Sequence, residues 1–421
     1  MRSEQSHKTR TLWLCGALHG FTHVYHVALM PLYLMIQQDL KLTQVGDAPF
    51  MLTLQGLVCF VPSYLMGVWA DRFSRKNLLG IGLLINGLGF VALACAPSYG
   101  WALAAVTVAG IGGSFYHPSA TALLARMFPA TTGRALGLAG IGSSVGFFVG
   151  PIYSGWRAVS SGSWRTPTLE LGVLGVVMAA VFVWLAEETP GLRAEPKQSA
   201  SAEKMFATPW LWFLFIVASL AFSLRDFAGG GMASLGSLFL QQAHQLDPEQ
   251  TGLALSGIYL ASAVSNPLFG RLSDHGRIRW MCLVLVVAAV MIAVFPHVPK
   301  AGLVPVYVIY GFFFMASYPV TEAAVIESVH DSVRGRVYGL FITVGGLVGN
   351  LAHWQMGFWV KGLGAGANLP SRYYPLYALL ALLVTLSLVG LPCLHAIRRR
   401  EVRLGQDTRT ARALAGRVGP R

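Results

Sequence analysis

The chain carries one succession of motifs twice, about 202 residues apart, and both copies lie among long apolar stretches. GVWADRFSRK at 67–76 recurs as GRLSDHGRIR at 270–279, which sets Asp71 against Asp274 with basic residues behind each. FYHPSATALLARM at 115–127 recurs as ASYPVTEAAVIES at 316–328, setting Pro118 against Pro319. GRALG at 133–137 recurs as GRVYG at 335–339, setting Arg134 against Arg336. Three matches in one order, at offsets of 203, 201 and 202, mark an internal duplication. Duplication of membrane-spanning units points to transport.

Composition agrees with a membrane setting. Hydrophobic residues make up 54% of the chain and charged residues 12%, about half the charge share of a soluble domain. Apolar stretches of about 20 residues, the length that crosses a bilayer, fall near 11–37, 48–70, 78–97, 100–125, 135–157, 168–186, 209–228, 250–272, 280–297, 302–326, 336–360 and 374–396. With the repeat, they predict an all-α membrane protein of twelve transmembrane helices in two pseudo-symmetric six-helix halves, 1–186 and 209–397. Residues 187–208, polar, charged and Pro-containing, read as a linker between the halves, and 398–421 as a basic tail.

Lys and Arg set the expected orientation. With the N-terminus in the cytoplasm, the segments on that side hold 24 of them, the opposite loops hold 6, and Arg225 alone lies inside a span. The asymmetry predicts both termini on the cytoplasmic side of an inner (plasma) membrane. The net charge of +13 is then mostly a topology signal, and the tail a contact for anionic lipid rather than for nucleic acid. The first apolar stretch is long, holds three His and lacks a small-residue cleavage pattern, so it is expected to remain as the first span. All five Cys lie far apart within or at the edges of predicted spans, which predicts neither disulfides nor a metal site.

GVWADRFSRK resembles the loop signature of the major facilitator superfamily. GFFVGPIYSG at 146–155 resembles that superfamily's Gly-Pro antiporter motif, with Ser154-Gly155 where two glycines are usual. More narrowly, residues 110–151, together with His23 ahead of Pro31, are similar to fosmidomycin resistance-type transporters. The superfamily resemblance covers nearly the whole chain. It implies the major facilitator fold, a cavity lined by spans one, four, seven and ten, and a proton-driven exporter. The expected partners are a small-molecule substrate, protons and the bilayer, with the chain acting as a monomer and without a cofactor.

Physical chemistry gives the motif residues work of their own. Asp71 ends a span beside Arg72, Arg75 and Lys76, where a carboxylate can accept charge-assisted bonds from a basic loop or a helix N-terminus and latch one access state. A plain topology anchor is the alternative, weaker for Asp71 because acids are not needed for positive-inside sorting. Asp274, Arg134 and Arg336 are the matching gating candidates. Gly150 and Pro151, with Gly146, allow close helix approach and a local break in the hydrogen-bond ladder, or simply small-residue packing.

Ionisable residues at membrane depth are the strongest functional signal, because such groups are costly there and face a bundle interior or cavity. They are His19, His23 and His26 in span one, His117 in four, Arg225 and Asp226 in seven, Glu322 in ten, and His353 beside Asn350 in eleven. The i, i+4, i+7 spacing of the first three makes one polar stripe. Neutral histidines there can carry protons or bind polar substrate, or hold a neighbouring helix. No carboxylate or Cys shares the stripe's face, so a metal is not expected.

Arg225 corresponds to His23 by the repeat, and a guanidinium in a cavity favours an anionic substrate. Asp226 lies about 100° round the helix, so it is not expected to neutralise Arg225 face to face unless a kink at Gly229-Gly230-Gly231 allows it. A static ion pair of Arg225 with Asp226 or Glu322 is the alternative. Asp226 and Glu322 are the carboxylates able to cycle a proton, since a substrate that competes for the Arg shifts proton affinity. Glu327 is expected to pair with Arg334 or Arg336, while Tyr116 and Tyr318 line the cavity or pack beside it.

No phosphate-binding loop, ATP-hydrolysis motif, GxSxG elbow or HExxH occurs, which leaves an ion gradient or the substrate's own gradient as the energy source. Three readings stand: proton-coupled export of a small anionic or amphiphilic compound, uptake of an organic anion by the same fold, and a non-transporting receptor or scaffold. The Gly-Pro motif leans towards the first. The buried ionisable residues, which a scaffold does not need, argue against the third.

Overall fold

The computed structural model describes residues 2–188, 205–330 and 333–400, and the regular structure among them is helical. Span one is α1 (Arg2–Val27) and α2 (Tyr33–Asp39), joined by a 3-10 turn at Met30–Leu32 that contains Pro31. Span two is α3 (Asp47–Phe60) and α4 (Ser63–Arg72), parted at Val61-Pro62, and span three is α5 (Arg75–Ala94). Span four is α6 (Tyr99–Gly113) and α7 (Tyr116–Met127), followed by α8 (Thr132–Ser161) and α9 (Arg165–Leu185). The second half repeats the order. Its spans are α10 (Pro209–Gln242), then α11 (Pro248–Leu260) with α12 (Ser262–Ser273), α13 (Arg277–Val294), α14 (Leu303–Glu327), α15 (Arg334–Leu363), and α16 (Tyr374–Leu386) continued to Arg400.

Among the described residues nine helices are long and apolar enough to cross a membrane as they stand. The other three spans are two and four, each broken into short pieces, and one, whose histidines and polar first turns dilute its hydropathy. The expected end of span seven at 228 gives way to Gln242. That extension is polar, but its groups are satisfied inside the protein: Ser237 Oγ donates to the Met30 carbonyl at 2.6 Å and the Gln241 amide donates to Ser237 Oγ at 2.8 Å.

Lipid tails are as apolar as the helices, so close packing rather than a hydrophobic drive must hold spans together. Gly142, Gly146 and Gly150 of α8 form a stripe against Gly16, Gly20 and Val24 of α1. A Cβ on Gly142 would lie 1.8 Å from the Gly16 carbonyl oxygen, and one on Gly146 2.2 Å from that of Gly20. The two halves meet in the same way, α8 on α11 and α3 on α15. A Cβ on Gly155 would meet the Pro248 carbonyl at 2.2 Å, and one on Gly357 the Gly46 Cα at 2.4 Å. Gly357 is 202 residues from Gly155, and Pro248 is 202 from Gly46. The duplicated sequence thus makes one contact twice.

Hydrogen bonds reinforce both seams. Ser256 Oγ donates to the Phe148 carbonyl at 2.7 Å. Thr53 Oγ1 donates to the Asn350 carbonyl at 2.7 Å and accepts from the Trp354 N–H at 2.9 Å. Pro151 does not break α8, which runs unbroken from Thr132 to Ser161. Its carbonyl instead receives Gly252 of α11, whose Cβ would sit 2.1 Å away. These contacts all lie on the face opposite the termini. Towards the termini α4 packs on α7 and α12 on α14, each within its own half.

One carboxylate organises the termini face. Ser74 N-caps α5, accepting from the Asn77 N–H at 3.2 Å. Glu188, just past α9, accepts from Ser74 Oγ (2.6 Å), the N–H groups of Arg75 (3.3 Å) and Lys76 (3.2 Å), and the Arg75 guanidinium (3.2 Å). Burial works against the charge, but these donors at a helix N-terminus outweigh it and hold the Glu188 carboxyl below its ordinary range.

Two outcomes follow for stability in detergent. Glu188→Gln should lower the thermal midpoint by the equivalent of about 1.5–3 kcal/mol. Glu187→Gln, which breaks a half-exposed pair with Arg10, should remove less than about 1 kcal/mol. Because the folded value is depressed, the Glu188 contribution is complete above the ordinary carboxylate value of about 4.3 and is lost only as pH falls through the lower one. Equal losses for the two variants, or a Glu188 effect that fades near neutral pH, would contradict the assignment. Separately, Gly146→Ala should destabilise by about 1–3 kcal/mol through overpacking, while Gly137→Ala, where a Cβ meets nothing within 4 Å, should not. Chemical-shift-free thermal melts of the two variants side by side decide this.

Candidate functional site

Two polar clusters lie among the spans, one in each half. In the first, α1 presents His19, His23 and His26, and α7 presents Tyr116 and His117. Tyr116 is buried, donates to the Cys15 carbonyl at 2.9 Å and stacks on His19 at 4.5 Å, so it fixes that imidazole in place. His19 Nδ1 lies 3.1 Å from the Ala139 carbonyl oxygen, and His19 Nε2 lies 3.1 Å from His23 Nε2. A carbonyl only accepts, so in neutral His19 the proton sits on Nδ1 and Nε2 accepts. His23 must then donate through Nε2, which leaves its Nδ1 bare, and that buried atom has no hydrogen-bond partner among the described residues. His117 is exposed, with its ring 5.3 Å from His19 and 5.9 Å from His23. Phe147 packs on His23 at 4.2 Å and stacks on Tyr259 of α11 at 4.7 Å, an aromatic link between the halves.

In the second cluster Arg225 is 2% exposed. Its Nε and one terminal nitrogen donate to a single oxygen of Asp226 at 3.0 and 2.8 Å, the ion pair that stood as the alternative, and it forms without the kink expected to be required. The angular argument treats side chains as short. The guanidinium stem is long enough to fold back onto its sequence neighbour, and Gly345 of α15 leaves room for the carboxylate, since a Cβ there would lie 2.5 Å from Asp226 Oδ2. No kink is needed: α10 is unbroken through Gly229-Gly230-Gly231, which serve close approach to Phe314, Gly349 and Leu380. The other terminal nitrogen of Arg225 donates to Thr321 Oγ1 at 2.8 Å, and the Tyr318 ring lies 4.3 Å from the guanidinium carbon. Glu322, next along α14, faces the Tyr338 hydroxyl and lies beyond ion-pair distance of Arg225.

His353 belongs to a third group. Its Nδ1 lies 2.7 Å from Ser234 Oγ, which is 2.8 Å from the Tyr33 hydroxyl, so α2, α10 and α15 are tied in one buried chain across the halves. Tyr33, Ser234, Thr321 and Glu188 escape a reading for charged residues in spans: the first three are uncharged, and Glu188 sits in what reads as a linker.

The side chain of Asp71 lies outside the described ones. Arg72, Arg134, Arg336 and Asp274 are exposed, and Asp274 lies 3.5 Å from Arg277. Arg75 is buried and held by Glu188. Arg277, its equivalent in the repeat, is held by Glu327 and by Ser273 Oγ at 3.0 Å. Glu327 also accepts from Arg398 at 3.2 Å. It therefore pairs with the start of α13 and the end of span twelve rather than with Arg334 or Arg336, and Arg334 instead donates to the Ile326 carbonyl at 2.9 Å.

The sequence profile of the Major Facilitator Superfamily matches residues 12–353. The chain belongs to that superfamily. Like the other members, it is a multi-pass membrane transporter and not an enzyme. It is 24% identical over 367 residues to the fosmidomycin resistance protein of Escherichia coli, covering 85% of this chain and 86% of that one. It is 23% identical over 355 residues to multidrug resistance protein 1 of Bacillus subtilis, covering 82% and 89%. The solved structure of a bacterial homologue of the human lysosomal transporter Spinster, in an inward-facing and unoccupied conformation, superimposes with a TM-score of 0.73 at 18% identity, covering 94% of this chain and 98% of that one.

For this facilitator, removing one partner of the buried pair should be costly. Asp226→Asn is expected to destabilise by about 3–5 kcal/mol because Arg225 keeps a buried, uncompensated charge. The double variant Arg225→Gln with Asp226→Asn should recover most of that loss in thermal unfolding. A double variant no more stable than Asp226→Asn alone would mean that the pair is not a closed electrostatic unit.

Proposed function

We propose that this facilitator carries out proton-coupled export of small amphiphilic or anionic compounds across an inner membrane, by alternating access around the two polar clusters. The observation that carries the reading is Glu322: a buried carboxylate on span ten, next to a neutralised Arg225–Asp226 pair, with a hydroxyl rather than a cation as its partner. The Tyr338 hydroxyl can donate to a carboxylate or accept from a carboxylic acid, so either protonation state keeps a hydrogen bond. The drug-resistance names of several relatives support export.

The charge of the substrate decides the coupling. A compound that binds through the Glu322 carboxylate excludes a proton there, and the carrier returns with the proton instead, which is antiport. An anion that takes the Arg225 fork must displace Asp226, and a proton carried with it keeps the site's charge balanced, so anion and proton travel together. That second route is the organic-anion symport reading. The saturated fork of Arg225 favours the first, with amphiphiles ahead of anions.

In this reading His19, His23, His26, His117, Tyr116 and Tyr318 line the substrate path. Asp71, Arg72, Arg75, Asp274, Arg134 and Arg336, with Gly150 and Pro151, control which face is open. The excess of Lys and Arg on the side of the termini supports their placement in the cytoplasm.

Proteoliposomes with an imposed pH gradient test the proposal with a panel of amphiphilic and anionic compounds. Glu322→Gln should still exchange substrate for substrate down its gradient but should not expel it against one. Gradient-driven transport at the wild-type rate in Glu322→Gln would remove the carboxylate from the coupling step.

A further inference from the structure

We propose that His19, His23 and His117 form a binding site for a borderline transition-metal ion of the Zn²⁺, Co²⁺ or Ni²⁺ class between spans one and four. The stripe on span one is not by itself a metal site, since it lacks acidic or thiolate ligands. The fold changes this by bringing His117 from α7 against it. One ring nitrogen from each of the three residues lies within 4.8 Å of the other two; a tetrahedral ion at roughly 2.0–2.1 Å per bond spaces its nitrogens about 3.3 Å apart, so side-chain rotation must draw the widest pair in by up to about 1.5 Å.

The surroundings of these rings fit ligation. His19 donates its Nδ1 proton to the Ala139 carbonyl at 3.1 Å, the outer-shell contact that fixes tautomer and ring orientation in metal-binding histidines. Tyr116, stacked on the same ring, adds a second restraint. The two Nε2 atoms of His19 and His23 point at each other across 3.1 Å, sharing one proton between two acceptor-capable nitrogens. A metal ion can replace that proton if neutral His23 shifts its hydrogen to Nδ1, the atom that has no partner, so the exchange releases no proton. His117 is the exposed member of the three, which leaves one side of the cluster accessible to an ion.

The donor set also selects the ion. Three imidazoles without oxygen ligands suit zinc, cobalt and nickel and give nothing to magnesium or calcium. Three ligands leave one coordination position for water or an anionic group, which the site does not itself supply. Both helices belong to one half, so the site is preserved whichever face is open. This inference is independent of the coupling carboxylates in the other half and of the direction of transport.

The test uses the full-length protein, purified without a histidine tag, titrated with Co²⁺ alone and then with Zn²⁺. We expect one Co²⁺ per chain with the visible absorption of a low-coordinate nitrogen site, displaced by Zn²⁺ and unaffected by excess Mg²⁺. His117→Gln and His19→Gln should each weaken binding by at least roughly the 10- to 100-fold that even loss of a supporting group causes. His275→Gln and His395→Gln, remote from the cluster, should not. Should His19→Gln fail to fold, the exposed His117→Gln variant, with an unchanged thermal midpoint in the absence of metal, carries the test. Absence of the cobalt spectrum in the wild type, or equal affinity in wild type and His117→Gln, overturns the proposal.

Discussion

Backbone lying directly on backbone is what the rest of this structure depends on. In a bilayer, spans are not driven together by water, and each pair must earn its contact by fit. Here the fit comes from glycines that let α8 sit against α1 and against α11, and α15 against α3. Because Gly155 on Pro248 and Gly357 on Gly46 are the same contact in the two copies, the halves close with near two-fold balance. At these glycines no side chain of their own buffers the contact. A helix pair of this kind is either seated or separated, which suits a carrier that needs distinct states rather than a continuum.

Those seams also fix where polar groups can go. Glycine contacts and the Tyr33–Ser234–His353 chain join the halves, and the ionisable clusters sit chiefly on the first and fourth spans of each half. One half places imidazoles there and the other a guanidinium with two carboxylates, so a symmetric scaffold carries an asymmetric chemistry.

Much of this was legible in the sequence. Duplication and apolar length give twelve helices in two halves, and the ionisable residues of the spans are those found clustered. What escaped has physical causes. Spans two and four are broken at Val61-Pro62 and Ser114-Phe115, and apolar length alone does not register breaks. The Arg225–Asp226 pair was misjudged because helical angle describes Cβ positions, whereas a long flexible stem reaches back round the helix. Glu188 sits in a segment whose composition reads as linker, and only the fold brings it to the start of α5. His117 was visible as a residue but not as a neighbour of His19, since two spans lie between them.

All the close partners of Arg225 belong to its own half: Asp226 on the same helix, and Thr321 and Tyr318 on α14. Its charge is therefore balanced by groups that move with it as the halves rock. The pair thus displaces no net charge through the membrane potential, which acts at about 2.3 kcal/mol per elementary charge per 100 mV. The electrical sensitivity of the cycle is then set by the cargo, the coupling ion and the charge on Glu322, and the same protein scaffold can be voltage-indifferent or voltage-driven according to what it carries.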